Sequence, residues 1–288
     1  MNPQRIMVLG DSHGNLPFIQ QALQLAHKHD CQVVHVVGDF GVWTHVPAGV
    51  RFIDETDRMA GELGITVTFT DGNHENFDHL FALPIDDDGW RRLRPNLWHA
   101  PRGHIWRWGR INLMSMGGAH SIDGPGGPHW WTQGRGPLDK DETVNVRDEN
   151  GFMETIVVSK GKDLGGWWPE ETITDDDVER AITNMVEWAS ELNPYPEIDV
   201  LFAHDAPTSI SLPFNSYPAG DENRARLQQV YEIAQPQLLV HGHFHMFQQF
   251  NDIRHNCLAV CLAHDASKKG GQYMFIDTDP FEIVVPKW

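Results

Sequence analysis

Side chains that bind divalent metal ions occur in short groups spread over most of the 288 residues. The groups are Asp11 with His13, Asp39, Asn73 with His74, His204, and His243 with His245. A pair spaced by one residue directs two ligands to the same side of an extended chain, because side chains alternate with a period of two. Carboxylates, imidazoles and one amide, without a thiolate, suit Mn²⁺, Fe²⁺ or Zn²⁺ rather than soft Cu(I). The residue types therefore predict a site for hard to borderline divalent ions.

The number of candidate ligands indicates two ions. Without His74 the groups still supply seven ligands, which are too many for one ion. Shared between two ions with Asp39 as a bridge, they form a site in which ions about 3.5–4 Å apart stabilise the entering and leaving oxygens of a phosphoryl displacement. A bridging hydroxide is then the natural nucleophile. The pattern predicts hydrolysis of a phosphate ester.

The elements that position these groups form an alternating series. Short β-branched or apolar runs predict strands at residues 5–9, 32–37, 65–70, 111–116, 198–202 and 237–240. Helical spacing predicts helices at residues 16–26, 51–63, 174–192 and 222–234, and Thr174 with Asp177 fits a capping box. Alternating strands and helices favour a largely parallel sheet covered on both faces. Because loops at the carboxyl ends of such strands meet in one crevice, we expect the distant groups to converge.

The chain shows no linker or repeat, and we expect one domain over residues 1–288 with an insertion at about residues 121–166. This segment is rich in Gly and Trp, and Asn150-Gly151 between residues 143–146 and 154–158 signals a hairpin. Two interpretations stay open: a surface insertion whose aromatic side chains pack on the domain, or a lid or substrate wall.

Charge and composition exclude several classes of protein. Asp and Glu number 40 against 22 Lys and Arg, a net charge of −18, so a generic basic nucleic-acid binder is excluded and no long nucleic acid is expected as a partner. The first apolar run is too short for a signal peptide, and no later run approaches the length of a membrane span. We expect a cytoplasmic protein with no membrane partner. Three cysteines without a C-x-x-C pair argue against a disulfide framework or a thiolate zinc site.

Five blocks, in order, resemble the motifs of the calcineurin-like metallophosphoesterase family. They are Gly10-Asp11-Ser12-His13-Gly14, Gly38-Asp39, Gly72-Asn73-His74-Glu75, His204 and Gly242-His243-Phe244-His245. The resemblance implies an α/β fold, a four-layer αββα sandwich into which the Gly/Trp-rich segment is inserted. It implies one metal held by Asp11, His13, Asp39 and His245, and another held by Asp39, Asn73, His204 and His243. His74 would bind the phosphate or protonate the leaving oxygen.

The second block departs from one branch of that family. In the protein Ser/Thr phosphatases it continues with an acid that orients the catalytic histidine and an arginine that binds phosphate, whereas here Phe40-Gly41-Val42-Trp43-Thr44 follows. This difference argues against a phosphoprotein phosphatase. It also leaves the partner of His74 open, with Glu75 and Asp71 as nearby candidates. The overall pattern is more similar to class III cyclic-nucleotide phosphodiesterases and their bacterial and phage relatives.

These observations together predict a dinuclear phosphodiesterase that cleaves small phosphodiesters, with 2′,3′-cyclic nucleotides ahead of 3′,5′-cyclic ones. Metal-bound hydroxide would attack phosphorus, Asn73 and His74 would contact the substrate, and Mn²⁺ is the ion we expect to support activity in vitro. One alternative is a metal-dependent phosphomonoesterase acting on nucleotides or phosphoproteins. Another is a non-catalytic scaffold of the same fold, against which the complete ligand set argues.

Overall fold

The computed structural model describes residues 2–121, 168–189, 197–213 and 218–287, together with the backbone of 142–147 and 153–158. The helices are α1 (Leu16–Lys28), α2 (Pro47–Leu63), α3 (Phe77–Ala82), α4 (Asp175–Trp188) and α5 (Pro218–Ala234). The strands are β1 (Arg5–Leu9), β2 (Val33–Val37), β3 (Thr66–Thr70), β4 (Arg91–Arg94), β5 (Leu97–Ala100), β6 (Ile105–Trp108), β7 (Ile111–Met116), β8 (Glu142–Arg147), β9 (Met153–Val158), β10 (Val200–Ala203), β11 (Leu238–His241), β12 (Gln248–Asp252), β13 (Cys257–Cys261), β14 (Tyr273–Thr278) and β15 (Phe281–Val284).

The strands form two large mixed sheets. The first has the order β15-β14-β1-β2-β3-β5-β4 and the second the order β12-β13-β11-β10-β7-β6. In the first sheet β1, β2, β3 and β5 run parallel, and in the second β7, β10, β11 and β13 do. Antiparallel strands complete the edges. The expectation of a single sheet is therefore wrong, because the strands form two. The expectation of parallel strands holds only for the centre of each sheet, since antiparallel hairpins extend the edges.

Three hydrophobic cores separate four layers. One core packs α1 and α2 against the first sheet through side chains such as Leu23 and Phe52, and another packs α4 and α5 against the second through Met185 and Tyr231. The third core fills the space between the two sheets. This order of helices, sheet, sheet and helices confirms the predicted αββα sandwich.

The six strands predicted from apolar runs are all present, with ends that differ by no more than two residues. Helices α2 and α5 begin four residues earlier than expected, each at a proline, which suits a first helical turn because it has no N–H to leave unpaired. Helix α3 and strands β4–β6 were not predicted. Charged residues interrupt the apolar runs of α3, β4 and β6.

Helix α4 begins where its capping signal lies. The Thr174 hydroxyl accepts from the Asp177 N–H, and the Asp177 carboxylate accepts from the Thr174 N–H, so the predicted capping box is formed. The helix ends at Trp188, and Leu192, its predicted end, lies outside the described residues.

The predicted hairpin is present in the Gly/Trp-rich segment, where β8 and β9 pair antiparallel from Glu142↔Val158 to Arg147↔Met153. Its turn at Asn150-Gly151 lies outside the described residues, as does most of residues 121–166. The two interpretations of this segment, a packed insertion or a lid, therefore both stay predictions. In the part of the chain that is described, no helix combines the length and apolar character needed to cross a membrane.

A buried histidine between the sheets makes stability depend on pH. The ring of His35 on β2 contacts the hydroxyls of Thr68 and Thr70 at 2.9 and 3.1 Å and stacks on Phe202. Burial lowers its pKa to about 3, and His99 adds to that effect. At pH values between about 3 and the ordinary pKa of about 6.5, this histidine is protonated in the unfolded chain but not in the folded protein. The free energy of unfolding therefore falls as the pH drops below about 6.5.

We therefore expect His35→Gln to lose less stability than the wild type on acidification. For one histidine the slope reaches about 1.4 kcal/mol per pH unit, so the difference between pH 7 and pH 5 should be about 2 kcal/mol. Urea unfolding at the two pH values measures it. The exposed His27, replaced by glutamine as a control, should behave as the wild type. Equal losses in His35→Gln and wild type would contradict the prediction.

Candidate metal centre

The candidate ligands lie at the carboxyl ends of parallel strands from both sheets. Strands β1, β2 and β3 of the first sheet lead into Asp11 with His13, Asp39, and Asn73 with His74. Strands β10 and β11 of the second lead into His204 and into His243 with His245. Because the two sheets pack face to face with these ends together, residues separated by more than 200 positions become neighbours.

One group of four carboxylates and imidazoles is compact. Asp11, His13, Asp39 and His245 each offer a ligand atom, and these atoms all lie within 4.8 Å of one another. The His13 Nε2 is 3.4 Å from Asp39 Oδ2, and the His245 Nε2 is 3.5 Å from Asp11 Oδ2. The structure thus brings together the four residues that the family resemblance assigns to one metal.

The second predicted group also meets at Asp39 Oδ2. The His204 Nε2 is 3.2 Å from Asp39 Oδ2 and 3.2 Å from Asn73 Oδ1. The His243 ring lies 5.1 Å from the His204 ring. Asp39 Oδ2 therefore faces a histidine from each group, which is the position that a bridging carboxylate needs.

The hydrogen bonding of His204 tests whether a metal ion fits here. Its Nδ1 is 2.8 Å from the Val37 carbonyl oxygen, which only accepts, so Nδ1–H is the donor. In the neutral ring, Nε2 then carries a lone pair, and that lone pair faces two oxygens, those of Asp39 and Asn73. Converging lone pairs repel unless a proton or a metal ion lies among them, and a divalent ion can take the place of that proton. The donors present, two carboxylates, an amide and imidazoles, are those of a hard to borderline divalent ion.

The electrostatic potential of the centre favours added positive charge. Burial opposes protonation of His204, yet Asp39 and Asp11 raise its pKa to about 10. Burial likewise opposes protonation of His13, but the neighbouring carboxylates raise its pKa to about 9. Burial, with Asp39 nearby, raises the pKa of Asp11 to about 6. Burial would also raise the pKa of Asp39, but His204 and His74 hold it well below its usual range.

His74 is fixed through its backbone. Its N–H donates to Asp39 Oδ1 at 2.8 Å, and its carbonyl accepts from the Trp43 indole N–H at 2.6 Å. Its ring centroid lies 6.1 Å from that of His13. The backbone of His74 is thus held at both its N–H and its carbonyl, and its ring lies beside the compact group of four.

Neither carboxylate considered as an orienting partner of His74 serves that purpose. Glu75 is buried and accepts from the backbone N–H groups of Phe40, Gly41 and Val42, which fixes the loop after β2. Asp71 accepts from His99 and Arg102. The two candidates for a His74 partner are therefore wrong, because the strand ends need these carboxylates to satisfy buried donors.

Several candidate ligands have a backbone conformation that side chains seldom adopt. Positive φ values occur at seven non-glycine residues of the described chain, and four of these are His13, Asp39, His243 and His245. Such a conformation costs about 1 kcal/mol or more per residue and persists where the surrounding structure enforces it, most often at functional sites. The strain is therefore concentrated on the predicted ligands.

Two motif glycines are required by close approach. A Cβ added to Gly72 would lie 2.1 Å from Asp39 Oδ1, and one added to Gly242 would lie 2.0 Å from Asp11 Oδ1. In each case the glycine of one block leaves space for the carboxylate of another. This explains in physical terms why a glycine precedes the ligand in these blocks.

The loop after β13 lies outside the five motif blocks and contributes Asp265, which the sequence did not single out. The Asp265 carboxylate there contacts His13 and Asn15, and the neighbouring His264 stacks on His245 with ring centroids 4.4 Å apart. No recognised motif marks these residues. The available signal was their position, since His264 and Asp265 also follow a strand of the second sheet, as the other groups do.

The family model of the calcineurin-like phosphoesterases matches residues 4–247. The chain belongs to this family. Its members are metal-dependent phosphoester hydrolases, and this chain is therefore a hydrolase of phosphate esters. No curated protein sequence matches it.

Solved structures show the same fold at low sequence identity. A dimetal phosphatase from Danio rerio is similar with a TM-score of 0.54 and 11% identity, over 96% of this chain and 93% of that one. GAP50, the anchor in the inner membrane complex of Plasmodium, is similar with a TM-score of 0.51 and 10% identity, over 100% of this chain and 90% of that one. At these identities the similarities establish the architecture alone.

Proposed function

We propose that this phosphoesterase is a dinuclear phosphodiesterase that hydrolyses small phosphodiesters, with 2′,3′-cyclic nucleotides preferred over 3′,5′-cyclic ones. The observation that carries the proposal is the convergence of His13 and His204 on Asp39 Oδ2, with Asn73 Oδ1 beside the His204 Nε2, which supports sharing of that carboxylate between two ions. Asp11, His243 and His245 complete the two proposed ligand sets. Mn²⁺, Fe²⁺ and Zn²⁺ suit these donors, and we expect Mn²⁺ to support activity in vitro.

Divalent ions bound at this centre would lower the pKa of a coordinated water and neutralise charge on the phosphate. The protein supplies the remaining parts. Asp39 holds the N–H groups of Asn73 and His74 through its Oδ1 atom, which fixes the loop that we propose contacts the substrate. His74 then delivers a proton to the departing oxygen as a general acid.

The loop after β2 supports a diester rather than a monoester. A monoester carries a second negative charge, which an arginine or lysine near the metals would offset. Residues 38–46 contain neither, Val42 is buried, and Trp43 lies against Gly14 while its indole N–H binds the His74 carbonyl. A diester anion, with a single charge, does not require the missing cation.

Exposure and charge support a small substrate. His204, Asp11 and Asp39 are essentially buried, whereas the His245 side chain is 49% exposed, so the centre opens to solvent on the side of His245. With a net charge of −18, the protein surface repels a polyanion. A cyclic nucleotide can reach the metals without lying along that surface.

The substrate class is tested by a panel of esters on protein stripped of metal and reloaded with Mn²⁺. We expect kcat/KM to be at least about tenfold higher for bis-para-nitrophenyl phosphate than for para-nitrophenyl phosphate, a difference of about 1.4 kcal/mol in transition-state stabilisation. We expect 2′,3′-cyclic AMP to be cleaved faster than 3′,5′-cyclic AMP, and long single-stranded DNA to be cleaved slowest.

A preference for the monoester would contradict the proposal and favour a phosphomonoesterase acting on nucleotides or phosphoproteins. Comparable rates on DNA would show that the acidic surface does not govern access. Failure of the Mn²⁺-loaded protein to hydrolyse any ester would favour the scaffold alternative. The same preparation without Mn²⁺ is the control for contaminating phosphatases.

A further inference from the structure

We propose that Asp265 is a positioning residue that orients His13 directly, and His245 through His264, for binding one of the two metal ions. The inference rests on the proposed dinuclear centre and assigns a role to a residue outside the five motif blocks. It concerns the compact group of Asp11, His13, Asp39 and His245.

The contact with His13 determines which ring nitrogen is free. The His13 Nδ1 lies 3.1 Å from Asp265 Oδ1, and a carboxylate only accepts, so Nδ1–H is the donor. In the neutral ring that would bind a metal ion, the lone pair is then on Nε2, the atom that lies 3.4 Å from Asp39 Oδ2. A metal-binding histidine whose second nitrogen donates to a carboxylate has its ring orientation fixed and its basicity raised.

The same oxygen of Asp265 also reaches the second histidine of this group through an intermediary. The His264 Nδ1 lies 3.4 Å from Asp265 Oδ1, and the His264 ring stacks on that of His245 with an interplanar angle of 19°. The His245 side chain is 49% exposed, so the stacked ring limits its rotation where solvent would not. One carboxylate therefore supports both histidines of the compact group.

Asp265 is itself held in place. Its Oδ2 accepts from the Asn15 amide at 2.7 Å, and its backbone N–H donates to the Asp11 carbonyl at 2.9 Å. The second contact belongs to the backbone and is kept when the side chain is replaced. We therefore expect the loop after β13 to stay at the centre in a variant that lacks the carboxylate.

The other ligand group is oriented differently. The His204 Nδ1–H donates to the Val37 carbonyl of β2, so that ring is fixed by the sheet itself. Removing the Asp265 carboxylate should thus affect one of the two ions and leave the other unchanged. A side chain that merely stabilised the fold would affect both sites and the melting temperature.

The test is a calorimetric titration of the metal-free protein with Mn²⁺, comparing wild type with Asp265→Ala and Asp265→Asn. We expect Asp265→Ala to weaken one of two binding events about 10–100-fold, the range for outer-shell partners of metal ligands, with the other event unchanged. Asp265→Asn keeps an oxygen that accepts from His13 Nδ1–H, so its loss should be smaller. Asp87→Ala, which removes an exposed carboxylate before β4, is the matched control.

The outcomes separate this inference from the proposed function. If wild type binds two Mn²⁺ ions and Asp265→Ala binds both as tightly, the positioning role is wrong and the dinuclear centre stands. If both events weaken together and the metal-free variants melt at a lower temperature, the role is structural and the inference is equally overturned. Failure of the wild-type protein to bind Mn²⁺ would instead overturn the proposed centre.

Discussion

Replacing Asp39 with asparagine is expected to reduce kcat/KM by about 10³-fold or more, given that one preorganised charge-stabilising group alone contributes about 10²–10³. The amide oxygen of the variant can still accept from the N–H groups of Asn73 and His74, so the loop after β3 should keep its place. Its amino group would replace Oδ2, the atom that faces both His13 and His204. The substitution thus removes the proposed shared ligand and spares the local hydrogen bonds of the backbone.

Metal content and activity are measured on the same protein after stripping and reloading with Mn²⁺. We expect Asp39→Asn to lose bound metal together with turnover while its circular dichroism spectrum stays that of the wild type. Asp87→Asn, at an exposed position, is the control and should keep both. Full activity of Asp39→Asn after reloading would show that no essential ion depends on this carboxylate.

Replacing His74 with alanine is expected to keep both ions and to lose rate. Loss of a general acid costs about 10²–10⁴-fold in kcat, and the loss should be largest for substrates whose leaving group is a strong base. A stable phenolate departs without a proton, whereas an alkoxide such as a ribose oxygen needs one. The backbone contacts of His74 with Asp39 and Trp43 do not involve its ring, so they are kept in the variant.

The measurement is kcat for a series of aryl and alkyl diesters, in wild type and His74→Ala, with the Mn²⁺ content determined for each. We expect a steeper dependence of kcat on leaving-group pKa in the variant. His27→Ala, which removes an exposed histidine of α1, is the control. Equal losses across all leaving groups would assign His74 to phosphate binding, and loss of metal would make it a ligand.

The central strands were predictable because each is an apolar run that ends in a polar motif. The division of those strands between two sheets was not predictable, since β1 and β10 are both almost entirely buried although they belong to different sheets. In the hairpin strands β4 and β6, arginines interrupt the apolar run, so neither strand stands out in the sequence. The starts of α2 and α5 were predicted too late, because the proline at which each helix begins is not part of the repeating pattern of apolar residues.

The buried carboxylates near the centre show where sequence proximity misleads. Glu75 follows His74 directly in the chain, yet its oxygens bind the loop after β2. Asp71 precedes the same block, yet it pairs with Arg102, which also contacts Asp177 at the start of α4. A buried carboxylate is stable only when it accepts hydrogen bonds, and here the donors come from elements that are distant in the sequence.

The sequence by itself determined the chemistry of the centre, because metal preference follows from ligand type and because glycine, carboxylate and histidine at fixed spacings leave few alternatives. Only the tertiary structure decided which ligand faces which. The Nε2 atoms of His13 and His204 meet at one oxygen of Asp39 because two sheets pack with their strand ends together. Asp265 contacts His13 from the loop after β13, which carries no motif, because packing and not separation along the chain sets the distances between side chains.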